Sequence, residues 1–282
     1  MADTASHRYR TRGFVVFRQA LDRSLVEDVA RSEEEVVRPY HGPLLRHDNR
    51  MTSHDFYSSS GLTPLERCRS GLAHAHVLKN SPIQPFVDAF VRLLTSDSMF
   101  DCFHKIDSEE RYTLHQTLFF FTSPLTVLHL DRMTLDTTPL GGSFIAWIPI
   151  DRVHAENGPV YVVPRPAGKY ESDEELGVVP TDDSGAMRVR HRTALARKLY
   201  EDGVELVAPS LNPGDLLVFA PSTPHGSFPP MDANLRRRSV QAIYRPTRYT
   251  QWGGYPNHHE SHETAAEEDR VSDHFNFLKI DS

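Results

Sequence analysis

The chemistry in this sequence starts with His129, Asp131 and His225. On a strand, residues two apart project from one face, so an imidazole and a carboxylate in the order His129-Leu130-Asp131 can reach one metal while Leu130 points the other way. Spacing alone is weak: with 16 histidines and 38 acidic residues in 282, chance yields about two His-x-acid pairs. The chain holds three, His129/Asp131, His154/Glu156 and His258/Glu260. The second runs into the turn Asn157-Gly158-Pro159 and the third lies in a polar tail, whereas the first ends an apolar run and is expected to be held rigidly on a strand. His225 follows a Pro213-Gly214-Asp215 turn and the apolar run Leu216-Leu217-Val218-Phe219, which would bring it alongside from a distant strand. Two histidines and one carboxylate cap one face of an octahedral Fe(II) and leave positions for a bidentate 2-oxo acid and dioxygen.

An acidic co-substrate in a chain of net charge −7 needs its own cation, and arginine suits a carboxylate because its planar fork makes two parallel hydrogen bonds. Arg236-Arg237-Arg238 supplies three candidates. Alternation puts Arg237, Ser239 and Gln241 on one face and Arg238, Val240, Ala242 and Tyr244 on the other, so Arg237 with the Ser239 hydroxyl is the expected clamp and Arg236 the reserve. On the run before the metal pair, His115, Gln116 and Thr117 offer further polar contacts, and Gln116 is the expected second contact for the acidic co-substrate or the substrate. Trp147 reads as a core aromatic.

These residues need a scaffold of strands. Residues 112–121, 127–130, 143–150, 160–163, 204–207, 216–219 and 239–244 are short apolar or β-branched runs divided by Gly, Pro and Asn turns, the pattern of an antiparallel sandwich or jelly roll. Ahead of them come a strand at 13–17, a helix begun by the capping box Ser24-Leu25-Val26-Glu27, and a second helix begun at Asn80-Ser81-Pro82 and ending near Leu94. A further helix, 193–201, reads as an insertion. One domain spans residues 1–282, with N-terminal helical support at about 13–95, a core at about 112–245 and a histidine-rich polar tail at about 253–282. Residues 46–71 and 168–192 are the expected lids.

Composition narrows the function. The acidic balance argues against general affinity for nucleic acid or anionic membrane, no run is long enough to span a bilayer, and two distant cysteines make neither a disulfide scaffold nor a zinc site. A cytoplasmic protein acting on a small molecule is expected, and net charge by itself favours a neutral or cationic polar metabolite.

The order Gly13-Phe14-Val15-Val16, His129-x-Asp131, Trp147-Ile148-Pro149-Ile150-Asp151, Glu156-Asn157-Gly158-Pro159, Pro213-Gly214-Asp215, His225-Gly226-Ser227 and Arg237-Arg238-Ser239 resembles the phytanoyl-CoA dioxygenase (PhyH-like) family over about residues 13–244. The sequence departs from it after Pro164, where Arg165-Pro166-Ala167-Gly168 stands in place of Gly-Ser-His. The resemblance implies a mainly β, cupin-like double-stranded β-helix with flanking helices. It further implies Fe(II) held by His129, Asp131 and His225, 2-oxoglutarate held by Arg237, dioxygen as oxidant, and oxidation of a C–H bond by hydroxylation, cyclisation or desaturation. Tailoring of a bacterial natural product is the expected role. The competing reading is a jelly-roll isomerase, lyase or sugar-binding module that uses the metal without 2-oxoglutarate and so has no need of Arg237.

Overall fold

The computed structural model describes residues 4–42, 44–45, 51–52, 71–73, 81–108, 111–232, 235–252 and 278–281. Helix α1 (Ala5–Arg12) stops at Gly13, whose φ of 74° admits the turn into β1 (Phe14–Phe17). Helix α2 (Arg23–Ser32) is capped by Asp22, which accepts from the Ser24 backbone N–H at 2.9 Å. The expected capping box does not form, because Glu27 accepts from Arg23 Nε instead. A π-turn, Glu33–Val37, continues α2 and carries Glu33 into the interior. Three two-residue strands follow, β2 (Leu44–Leu45), β3 (Met51–Thr52) and β4 (Leu72–Ala73), then helices α3 (Gln84–Leu94) and α4 (Asp97–His104). Helix α3 starts two residues beyond Pro82, and α4 was not anticipated from the sequence.

The strands then dominate: β5 (Arg111–Phe120), a single-turn α5 (Arg132–Leu135), β6 (Asp136–Thr138), β7 (Phe144–Pro149) and β8 (Val160–Val162). After helix α6 (Ser184–Glu201) come β9 (Leu216–Phe219), β10 (His225–Ser227), β11 (Ser239–Pro246), β12 (Thr250–Trp252) and β13 (Leu278–Asp281). The major sheet runs β1-β9-β7-β11-β5-β13, with β4 also on β5, and its neighbours are antiparallel. β8 and β10 pair opposite it. The chain is therefore a mainly β double-stranded β-helix, or jelly roll, with flanking helices.

Alternation of side chains assigns the two faces of the major sheet. Phe144, Ala146 and Ile148 of β7, Leu216 and Val218 of β9, and Val240, Ala242 and Tyr244 of β11 pack with Val26 and Val29 of α2, Phe86 and Phe90 of α3, and Phe100 and Phe103 of α4. Burying each of these large side chains stabilises the fold by about 1.5–3 kcal/mol. Ile145, Trp147, Leu217, Phe219 and Ile243 face inward, against Val160 and Val162 of β8.

Two expected strands are absent as such. Residues 127–130 form a single bridge, His129 with His225, and residues 204–207 a single bridge, Val207 with Val162; turn and proline residues around each keep the pairing from extending. The helix expected at 193–201 begins nine residues earlier, at Ser184, capped by Asp183, whose side chain accepts from Gly185 and Ala186 N–H. Of the expected tail, residues 253–277 lie outside the described residues, while Leu278–Asp281 is β13 on the sheet edge. The expected lid at 46–71 also lies almost wholly outside them.

Candidate functional site

His129 and His225 come together through reciprocal backbone hydrogen bonds, each N–H to the other's carbonyl at 3.0 Å. Their rings lie 4.2 Å apart between centroids. Asp131 is not on a strand, as expected, but at the first turn of α5, with φ −77° and ψ −23°. The turn is fixed by Arg132 N–H donating to Pro221 O and Leu135 N–H to Asp131 O, and it swings the carboxylate back toward both imidazoles. Asp131 Oδ1 lies 3.3 Å from His129 Nε2, and Oδ2 lies 3.5 Å from His225 Nε2.

The donor set fits a metal. The three ligand atoms lie within 4.8 Å of one another, and adjacent ligands of an ion with bonds near 2.1 Å sit roughly 3 Å apart. Nδ1 of His129 lies 2.9 Å from Val127 O and Nδ1 of His225 lies 3.0 Å from Thr223 O. Carbonyls only accept, so both Nδ1 atoms carry a proton, and the Nε2 atoms are the ones left for a metal. His225 Nε2 is buried with no hydrogen-bond partner. Gln241 Nε2 donates to Asp131 Oδ2 at 3.1 Å and orients the carboxylate.

Electrostatics separate the two histidines. Burial, helped by repulsion from His129, holds His225 down to about 4. At His129 burial acts downward too, as does the positive charge of Arg192, but the hydrogen bond and charge of Asp131 outweigh them and its pKa is raised.

The arginine triplet divides as alternation requires. Arg238, on the helix-facing side, donates to Asp151 and to Glu33 at 2.7 and 2.8 Å, and Arg236 reaches Glu34 at 2.7 Å. Arg237 turns the opposite way, into a cavity of about 910 Å³ that it shares with His129, Asp131, His225, Gln241 and Gln116. It is 1% exposed, lies 5.3 Å over the Trp147 ring, and its Nε and Nη1 have no hydrogen-bond partner among the described residues. Burial lowers its pKa to about 9, with Asp151 pulling weakly the other way. Ser239 Oγ is likewise buried without a partner, as is Gln116 Oε1. Gln116 lines the cavity with Arg237, whereas Ser239, two residues beyond Arg237 on β11 and paired with Phe120, is fully buried and not among the lining residues.

His154 and Glu156 lie in a 3-10 turn with Glu156 well exposed; His258 and Glu260 are outside the described residues. Sequence reasoning missed the part of α6 in the site: Arg188, His191, Arg192 and Leu195 line the cavity. The i, i+4 spacing of Arg188 and Arg192 was the available signal, obscured by starting the helix at 193.

No curated protein sequence matches the chain. Among solved structures it resembles SnoK, a non-heme alpha ketoglutarate dependent carbocyclase from nogalamycin biosynthesis, at 16% identity and TM-score 0.61, covering 93% of this chain and 90% of that one. The epimerase SnoN, in complex with Fe3+, alpha ketoglutarate and nogalamycin RO, aligns at 16% and 0.58 over 88% and 84%. EctD from S. alaskensis, with 2-oxoglutarate and 5-hydroxyectoine, aligns at 16% and 0.57 over 90% and 80%. At such identities the likeness establishes the jelly-roll fold. The family model for phytanoyl-CoA dioxygenase (PhyH) matches residues 9–238, a span that contains the triad and Arg237; the chain belongs to the phytanoyl-CoA dioxygenase family, and with it to the iron- and 2-oxoglutarate-dependent oxygenases.

Proposed function

We infer that His129, Asp131 and His225 hold Fe(II), that Arg237 and Ser239 hold the far carboxylate of 2-oxoglutarate, and that Gln116 contacts the metal end of the same ligand or the substrate beside it. The observation that carries this reading is the fully buried Arg237 guanidinium, with Nε and Nη1 unbonded among the described residues, in the cavity of the triad. A buried guanidinium is costly without an anion, and a metal-dependent isomerase or sugar-binding module would gain nothing from it. When bound, iron and 2-oxoglutarate supply, with dioxygen, the power to oxidise a C–H bond. The chain's own part is geometric. Val127 and Thr223 carbonyls fix the imidazoles, Gln241 fixes Asp131, and Arg237, stacked near Trp147, sets the distance at which a five-carbon diacid can reach the metal.

The reaction we propose is hydroxylation, oxidative cyclisation or desaturation of a small polar metabolite in bacterial natural-product biosynthesis, within the cytoplasm. Support comes from the cavity volume, which suits a metabolite, and from the fold shared with SnoK and SnoN. Among the described residues no helix is long and apolar enough to cross a membrane. The test is conversion of 2-oxoglutarate to succinate with Fe(II) and dioxygen across a panel of polar metabolites and acyl-CoA esters. Turnover stimulated by a metabolite, and lost in His225→Ala, is expected. Stimulation by acyl-CoA esters alone would overturn the substrate class, and metal-dependent turnover without 2-oxoglutarate would overturn the reaction.

A further inference from the structure

Helix α6 is held against the wall behind the metal ligands by a narrow stripe. Met187, Leu195 and Leu199 pack with Leu130 and Val163, and His191, between them, stacks on Tyr170 at 5.6 Å and bonds Glu171 O. Arg188 and Arg192 lie one position past two members of that stripe and one turn apart, so they share a helix face, and both line the cavity. Other bases of this helix are engaged at its outer side: Arg190 donates to Val179 O and Lys198 to Asp202. Arg188 and Arg192 have no hydrogen bond or ion pair among the described residues.

The charges of the cavity do not balance. Arg188, Arg192 and Arg237 face a single carboxylate, Asp131. Fe(II) and the 2-oxoglutarate dianion cancel each other and Asp131 offsets one guanidinium, which leaves two positive charges uncompensated. In a chain of net charge −7 this concentration of cations is local, and the expectation of a neutral or cationic substrate, drawn from net charge, does not describe the cavity.

We propose that Arg188 and Arg192 bind an anionic group of the substrate, a carboxylate or phosphate, and so hold its reacting carbon at the metal. This rests on the reading of the cavity as an iron and 2-oxoglutarate site. Leu130, Val160 and Leu195 line the same cavity and offer apolar contacts for the body of such a substrate.

The test uses the full chain loaded anaerobically with Fe(II) and 2-oxoglutarate, and follows binding of phenyl phosphate, benzoate and benzyl alcohol by calorimetry in wild type and in Arg188→Gln/Arg192→Gln. Loading is checked first by the visible band of iron-chelated 2-oxoglutarate, so its absence in wild type counts against the cofactor site rather than the arginines. With the band present in both proteins, the proposal expects at least one anion to bind wild type more tightly than benzyl alcohol. It also expects that anion to lose tenfold or more in the double variant, while benzyl alcohol is unaffected. Tighter binding of phenyl phosphate than benzoate selects phosphate, and the reverse selects carboxylate. Equal anion binding in both proteins, no preference over benzyl alcohol, or no anion binding at all overturns the proposal.

Discussion

Replacing Arg237 by methionine should move ligand affinity and apo-protein stability in opposite directions. The guanidinium is buried, which pushes its pKa down to about 9; at about 1.36 kcal/mol per unit, keeping that charge inside the ligand-free protein costs several kcal/mol relative to water. Two charge-assisted hydrogen bonds to a carboxylate return about 1.5–3 kcal/mol each. Arg237→Met should therefore weaken 2-oxoglutarate binding by about 10²–10⁴-fold, while the ligand-free variant becomes more stable by about 1–4 kcal/mol. The pH dependence has a definite sign. The folded pKa lies below the unfolded one, so above about pH 9 the unfolded chain holds more protons and this site's contribution to stability rises with pH. The variant lacks that rise. Thermal unfolding of both metal-loaded proteins, with and without 2-oxoglutarate and from pH 7 to 10, reads all three effects. A variant less stable than wild type that binds 2-oxoglutarate equally well would refute the reasoning and make Arg237 a structural residue.

Other changes test the supports. Gln241→Leu removes the bond that orients Asp131 and should weaken Fe(II) binding about 10–100-fold; unchanged affinity in a metal competition assay would contradict that role. Arg238→Met removes the 2.8 Å contact to buried Glu33, which keeps Arg236 at 3.8 Å, and should cost about 1.5–3 kcal/mol in urea unfolding, against which a loss under about 0.5 kcal/mol would count. Phe103→Ala, which removes a fully buried ring packed on Tyr244 at 4.8 Å, should cost about 3–5 kcal/mol without altering the Fe(II) affinity of the folded fraction.

The faces of β11 were legible in the sequence because period-2 alternation separates Arg237 from Arg238, whereas β7 and β9 are apolar and buried on both faces and carry no such signal. The approach of His129 to His225 was legible only as a requirement of the chemistry. The conformation of Asp131 was not, because a one-turn helix leaves no periodic signal and the residue is set by contacts from Pro221. The cap of α2 was misplaced because Asp22 and Ser24 are both good caps, and the choice between them depends on Glu27 pairing with Arg23. Helix α6 was truncated at its N-terminus because its buried stripe, Met187, His191, Leu195, is narrow and interrupted by a histidine. That truncation hid the two arginines that enter the cavity.

The most direct test of the central claim is an anaerobic titration of the metal-free protein with Fe(II) and then 2-oxoglutarate, followed by the weak visible charge-transfer band of the chelate, in wild type, His129→Ala and Arg237→Met. The account predicts the band in wild type, none in His129→Ala, and in Arg237→Met a band that needs at least a hundredfold more 2-oxoglutarate. Iron binding without a band in wild type, or a band indifferent to Arg237, would contradict it.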